Sequence, residues 1–280
     1  MSSLADDTRW LDATAQAELV ASGKVSPVEM VNAAIERVER YDGALNALTY
    51  RWFEAARQLA SSSDLPEGPF RGVPYLLKDL YAAEAGKPLS NGSKAYKAAD
   101  YVSTEDSTLV ARYKASGLIS IGRSNSPEFG SVPVTEPEAW GPTRNPWDLS
   151  RTPGGSSGGS ASAVAAGIVP IAHASDGGGS IRIPAACCGL VGLKVSQGRI
   201  SMGPSRDESN LGVEHCVSRS VRDSARLLDA THGPGIGDVI IAPTPRRPFI
   251  DEVGADPGRL RIGFLDFNPR GGDVHADCVD

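Results

Sequence analysis

In the first third of the chain, apolar residues recur at helical spacing. Val28, Val31, Ile35 and Val38 fall on one face of a helix. Ser26-Pro27-Val28-Glu29 ahead of them has the form of a capping box, with proline at the first helical position. Gly23 is placed to end the helix before it. A third helix is predicted to hold Trp52, Phe53, Ala56 and Leu59, and residues 61–66 read as a loop. From Gly72 onward the pattern alternates. Residues 73–77 form a short apolar run predicted to be extended. A helix is expected over about 105–116, closed by Gly117, then a strand over 118–121. A helix of small residues should follow Gly159, with further strands at 168–172 and 190–193. Residues 220–232 read as a helix and 260–265 as a last strand. Strands alternating with helices predict an α/β fold whose sheet is covered on both faces. One domain is expected over 1–280, with a helical N-terminal region at 1–65 and an α/β core at 66–280. There is no internal repeat. Residues 276–280 read as the opening turn of a helix, so the sequence reads as a fragment; a frayed terminus is the plainer alternative.

Composition narrows the function classes. Hydrophobic residues make up 40% and charged residues 22%, the balance of an ordinary globular protein. The net charge of −6 gives no bulk attraction for phosphate backbones, which argues against a nucleic-acid partner. It also leaves no polybasic membrane patch. The N-terminus carries acidic residues where a secretory signal needs a basic region and an apolar core. The apolar stretch at 161–174 is broken by Gly167 and Pro170 and is too short to span a bilayer. Cys187, Cys188, Cys216 and Cys278 make neither a disulfide framework nor a metal-ligand spacing. Cytoplasm is the simplest location.

The 31 glycines cluster, and the stretch Pro153-Gly154-Gly155-Ser156-Ser157-Gly158-Gly159-Ser160 admits four readings. A flexible linker is disfavoured by the small-residue helix that follows directly. A phosphate loop needs a lysine after the second glycine, and none is there. Gly155-Ser156-Ser157-Gly158-Gly159 formally fits a nucleophile elbow centred on Ser157, with His173, His215, His232 and His275 downstream. However, residues 148–153 cannot supply the apolar strand an elbow requires. The fourth reading joins this loop to Ser175-Asp176-Gly177-Gly178-Gly179-Ser180-Ile181-Arg182, which follows a short apolar run. Three glycines before a serine allow tight curvature and close approach of a substrate. Free N–H groups in such a turn form an anion-binding nest of the kind an oxyanion hole needs.

With these loops in view, the chain resembles the amidase signature hydrolases. The matching segments are Gly72-Val73-Pro74-Tyr75-Leu76-Leu77-Lys78-Asp79, Asn125-Ser126-Pro127-Glu128-Phe129-Gly130, Asn145-Pro146-Trp147, the two glycine-serine loops, and Cys188-Gly189-Leu190-Val191-Gly192-Leu193-Lys194. Their order is right and together they cover most of the chain. Asp12-Ala13-Thr14-Ala15-Gln16-Ala17-Glu18-Leu19, Lys78-Asp79-Leu80 and Thr135-Glu136-Pro137-Glu138-Ala139-Trp140-Gly141 look like the 6-aminohexanoate-cyclic-dimer hydrolase branch. The resemblance implies a central mixed sheet between helices, incomplete at the C-terminus of this chain. It implies Ser180 as nucleophile, Ser156 as a bridging serine after a cis peptide bond, Lys78 as base, and the N–H groups of Gly177, Gly178 and Gly179 as the oxyanion hole. The family usually has a bulkier residue where Gly177 stands, so the backbone is looser there.

A serine hydroxyl needs an adjacent base, and lysine serves only when neutral, so burial must lower its pKa from about 10.4. Local sequence alone would leave Lys78 exposed or paired with Asp79; the resemblance implies instead a buried base among Leu76, Leu77 and Leu80. Asp176 and Arg182 flank the nest and are expected to brace it. The implied reaction is hydrolysis of a small or cyclic amide through an acyl-enzyme, with no metal or organic cofactor. A homodimer is compatible with this reading. The same triad would serve the amidase subunit of a tRNA-dependent amidotransferase, which needs partner subunits. A third reading is a truncated copy that keeps the motifs but is inert.

Overall fold

The computed structural model describes residues 3–204 and 211–278. Three helices open it: α1 (Leu4–Asp7), α2 (Ala13–Ala21) and α3 (Pro27–Leu45). The capping box of α3 is formed as the sequence predicts. The Ser26 hydroxyl accepts the Glu29 N–H, and the Glu29 carboxylate accepts the Ser26 N–H. Gly23, just beyond α2, has φ +69. Then come β1 (Leu48–Arg51), α4 (Phe53–Ser61), β2 (Pro74–Lys78), α5 (Lys94–Ala98), α6 (Thr108–Ala115) and β3 (Ile119–Ser124). The second half holds α7 (Gly158–Ala165), β4 (Ile171–Asp176), α8 (Arg182–Cys188), β5 (Val191–Gly192), β6 (Val213–Ser218) and α9 (Val221–Thr231).

The strands form one mixed sheet in the order β1-β3-β2-β4-β6-β5. The three adjacent strands β3, β2 and β4 run parallel, while β1, β6 and β5 are antiparallel to their neighbours. Alternation along the strands sorts side chains to two cores, as a two-faced sheet requires. Leu76, Ile121, Ala172 and Ala174 pack with residues of α3, α4 and α7. Tyr75, Leu77, Ile171 and Cys216 pack with residues of α2, α6 and α9 on the other face.

Several expectations move. The helix predicted over 105–116 begins at Thr108, because Ser107 accepts the Val110 N–H and caps it there. The strand predicted over 168–172 begins at Ile171; Ile168 and Val169 are buried but precede Pro170, which has no N–H to give a ladder. The N-terminal region is not helical throughout, since β1 lies inside it and pairs with β3. The predicted strand over 260–265 is not formed. Those residues are irregular and exposed, and they lie on neither edge of the sheet, so their N–H and C=O groups have no strand to bond. Residues 276–278 form a single 3-10 turn. Among the described residues no helix is long and apolar enough to cross a membrane.

Candidate active site

The carboxyl ends of the parallel strands β2 and β4 lie side by side, and the loops that follow them build the site, the usual position for function in such sheets. Lys78 is the last residue of β2 and is fully buried. Its Nζ lies 2.7 Å from Ser156 Oγ and 3.0 Å from Ser175 Oγ. Its backbone N–H donates to His173 Nδ1 at 3.3 Å. Asp79, also buried, turns its carboxylate to the Ser90 N–H (2.8 Å) and the Ser90 hydroxyl.

Ser156 follows a cis Gly155–Ser156 peptide bond. Gly155 is required by close approach: a Cβ there would sit 2.7 Å from the backbone N and O of Val134. Gly130 faces Ser156 from the other side, and a Cβ on it would lie 3.1 Å from Ser156 Oγ and 2.6 Å from Leu80 Cδ2. Ser157 is placed differently from what a nucleophile needs. It is fully buried at the start of α7, its hydroxyl donates to the Ser175 carbonyl, and its Oγ accepts the Ser175 N–H. The elbow reading fails on this geometry. None of the four histidines lines the cavity that contains Ser156 and Ser180.

That cavity, about 450 Å³, is lined by Ser156, Ser175, Ser180, Gly177, Gly178 and Phe129 among others. A larger surface concavity of about 790 Å³ opens beside Arg112 and His232 and contains none of these hydroxyls. Ser180 is half-buried, in the turn that leads into α8. Gly177 and Gly178 are exposed, and among the described residues their N–H groups have no acceptor. Gly179 departs from the expectation of three free donors. Its φ is +129, and its N–H donates to Asp176 Oδ1 at 2.7 Å, so it holds the turn rather than facing the cavity. A Cβ on Gly177 would meet open space.

Asp176, the last residue of β4, organises the turn. Its carboxylate also accepts the Ile181 N–H (3.2 Å), Arg182 Nε (2.9 Å) and Lys194 Nζ (3.2 Å). Burial would push this carboxyl up. The Arg182 hydrogen bond, the Gly179 and Ile181 N–H groups and Lys194 outweigh it and hold the group well below the usual carboxylate range. The Asp176–Arg182 brace expected from sequence is therefore present. Sequence reasoning missed Lys194, which also binds the carbonyls of Asp176, Gly177 and Leu211. It also missed the contact of Ser175 with Lys78, and Thr135, whose Oγ1 accepts the Gly158 N–H and donates to the Gly154 carbonyl. Lys194 lay in a motif segment and Thr135 in the branch segment, which was the available signal. Among the described residues no group of three His, Cys, Asp or Glu side chains is placed to hold a metal ion.

Residues 29–278 match the family model described as Amidase. The chain is 48% identical over 266 residues to the 6-aminohexanoate-cyclic-dimer hydrolase of Paenarthrobacter ureafaciens, an alignment that takes in 94% of this chain and 53% of that protein. Solved structures of 6-aminohexanoate cyclic dimer hydrolase, alone and complexed with substrate, superpose with a TM-score of 0.90 at 47% identity, covering 94% of this chain and 55% of theirs. A bacterial aryl acylamidase of the amidase signature family superposes with a TM-score of 0.81 at 36% identity, over 86% of this chain and 51% of that one. The chain thus spans about half the length of the relatives it matches.

Proposed function

The chain belongs to the amidase family, and from that premise we propose that it carries the catalytic loops for hydrolysis of a carbon–nitrogen amide bond through Ser180, Ser156 and Lys78. The observation that carries this reading is the 2.7 Å contact of buried Lys78 Nζ with Ser156 Oγ, Ser156 lining a cavity together with Ser180. Complete burial disfavours an ammonium, so the amine can accept a proton. Ser180 Oγ attacks the amide carbonyl as its proton passes to Ser156 Oγ and the Ser156 proton passes to Lys78 Nζ. The N–H groups of Gly177 and Gly178 face the oxygen that becomes negative, where fixed donors lower the barrier most. The C–N bond then breaks and the leaving nitrogen takes a proton back through Ser156. Water attacks the resulting ester by the same route in reverse and frees Ser180. The likeness to the cyclic-dimer hydrolase supports a small or cyclic amide as substrate.

The test is chromatography of product formed from a simple aryl amide and from the 6-aminohexanoate cyclic dimer. Product is expected with the natural protein and none above background with Ser180→Ala. Equal turnover by the two proteins would remove Ser180 from the reaction.

A further inference from the structure

A primary amine has one lone pair and, when neutral, two N–H donors. For Lys78 to take a proton from Ser156, its lone pair must point along the 2.7 Å line to Ser156 Oγ. Rotation about the last side-chain bond would swing that lone pair away, so something must fix the rotor. Ser175 Oγ lies 3.0 Å from the same nitrogen. Ser175 is itself held: its N–H is bound by Ser157 Oγ and its carbonyl accepts the Ser157 hydroxyl, each at 3.3 Å. It is buried on β4 opposite Glu214 of β6, and it lines the cavity with Ser156 and Ser180.

We propose that Ser175 is a positioning residue for the base: its hydroxyl oxygen accepts one Lys78 N–H and thereby aims the amine lone pair at Ser156. This rests on the reading of Lys78 as base given above. The proton then travels Ser180 to Ser156 to Lys78, and Ser175 keeps its own proton throughout. Two consequences differ in kind. Without the oxygen the lone pair is no longer aimed, so the limiting rate falls. The same oxygen binds an ammonium more strongly than an amine. Its loss therefore makes Lys78 less basic and moves the rising limb of the pH profile to lower pH. The titratable groups around the pair are His173 at the Lys78 N–H, Asp79, Asp176 and Glu214. None of them is altered by substituting Ser175.

The experiment compares Ser175→Thr with the isosteric Ser175→Val, using Ser175→Ala as a variant that adds no bulk. The readout is the rate at which a fluorophosphonate labels Ser180, measured from pH 6 to 10, a reaction that needs the base but no amide substrate. Thr should label at a rate and with a pH profile close to those of the natural protein. Val and Ala should label about tenfold to a hundredfold more slowly, the scale of a misplaced reacting group, with the limb shifted to lower pH. Thr and Val behaving alike, whether both active or both impaired, would overturn the proposal, because the hydroxyl would then carry nothing. A natural protein that takes no label would sink the reading of the triad itself, and this proposal with it.

Discussion

Two buried ionisable residues near the site have opposite lives. Asp176 is charged and surrounded by donors, so its pKa falls below the ordinary carboxylate value. The stability it contributes is complete above that value and is lost as pH drops through the lower folded pKa. His215 is fully buried on β6, and burial lowers its pKa from 6.5 to about 4, with a smaller opposing effect from its hydrogen bond with Ser224. The folded protein keeps it neutral where the unfolded chain protonates it. Stability should therefore fall as pH drops from about 6.5 towards 4, by up to about 3 kcal/mol at one pH unit per 1.36 kcal/mol. Chemical denaturation at pH 7.5 and pH 4.5 measures this, and His215→Gln should remove most of the difference. A natural protein equally stable at both pH values would contradict it. At this scale the sequence was legible where chemistry is local. Ser156 and Ser180 stood out by the glycines around them, whereas Lys78 was singled out only by the family resemblance. Contacts such as Ser175 to Lys78, or Lys194 to Asp176, join residues many positions apart and leave no periodic trace.

Elements were read best where their ends are chemically marked. Ser26 and Glu29 opened α3, and Gly117, with φ +85, followed α6 as expected. Strand β6 went unread because Glu214 and His215 break its apolar run, although all six of its residues are buried between two cores. Helix α8 went unread because Pro184 looks like a breaker, yet it falls in the first turn, where its missing N–H is harmless. The glycines before α7 and in its first turn look like a flexible stretch in sequence and act as contact points in the fold. A Cβ on Gly159 would lie 2.3 Å from Asn125 N and 2.7 Å from the Ala47 carbonyl oxygen. Backbone cannot yield as a side chain can. Gly159→Ala should therefore destabilise by about 1–3 kcal/mol or more, as overpacking does, despite alanine's better helix propensity. It should also slow Ser180 labelling, because α7 carries the Ser156 loop. Thermal denaturation beside the natural protein checks this, and an unchanged or raised Tm would show that α7 can move away from β3.

For the whole molecule, the described residues after α9 contrast with the sheet. Leu260, Ile262, Phe264, Leu265 and Phe267 are all exposed, Ile262 and Phe264 by more than four-fifths (83% and 82%). Monomers seldom leave apolar groups so close together in water. The chain should therefore self-associate at micromolar concentration, and replacing Ile262 and Phe264 by lysine should reduce this without touching the catalytic loops. Sedimentation velocity over a dilution series measures it; a monodisperse monomer at every concentration would contradict the expectation. The proposed catalytic residues lie outside that segment: Lys78 and Ser175 are on β2 and β4, and Ser156 and Ser180 are on the loops that lead into α7 and α8. The role of Ser180 is read out by treating the protein with a fluorophosphonate and mapping the adduct by peptide mass spectrometry. A single modification on Ser180 is expected, abolished by Ser180→Ala and strongly slowed by Lys78→Ala. An adduct on Ser157, or labelling of Ser180 unaffected by Lys78→Ala, would contradict it.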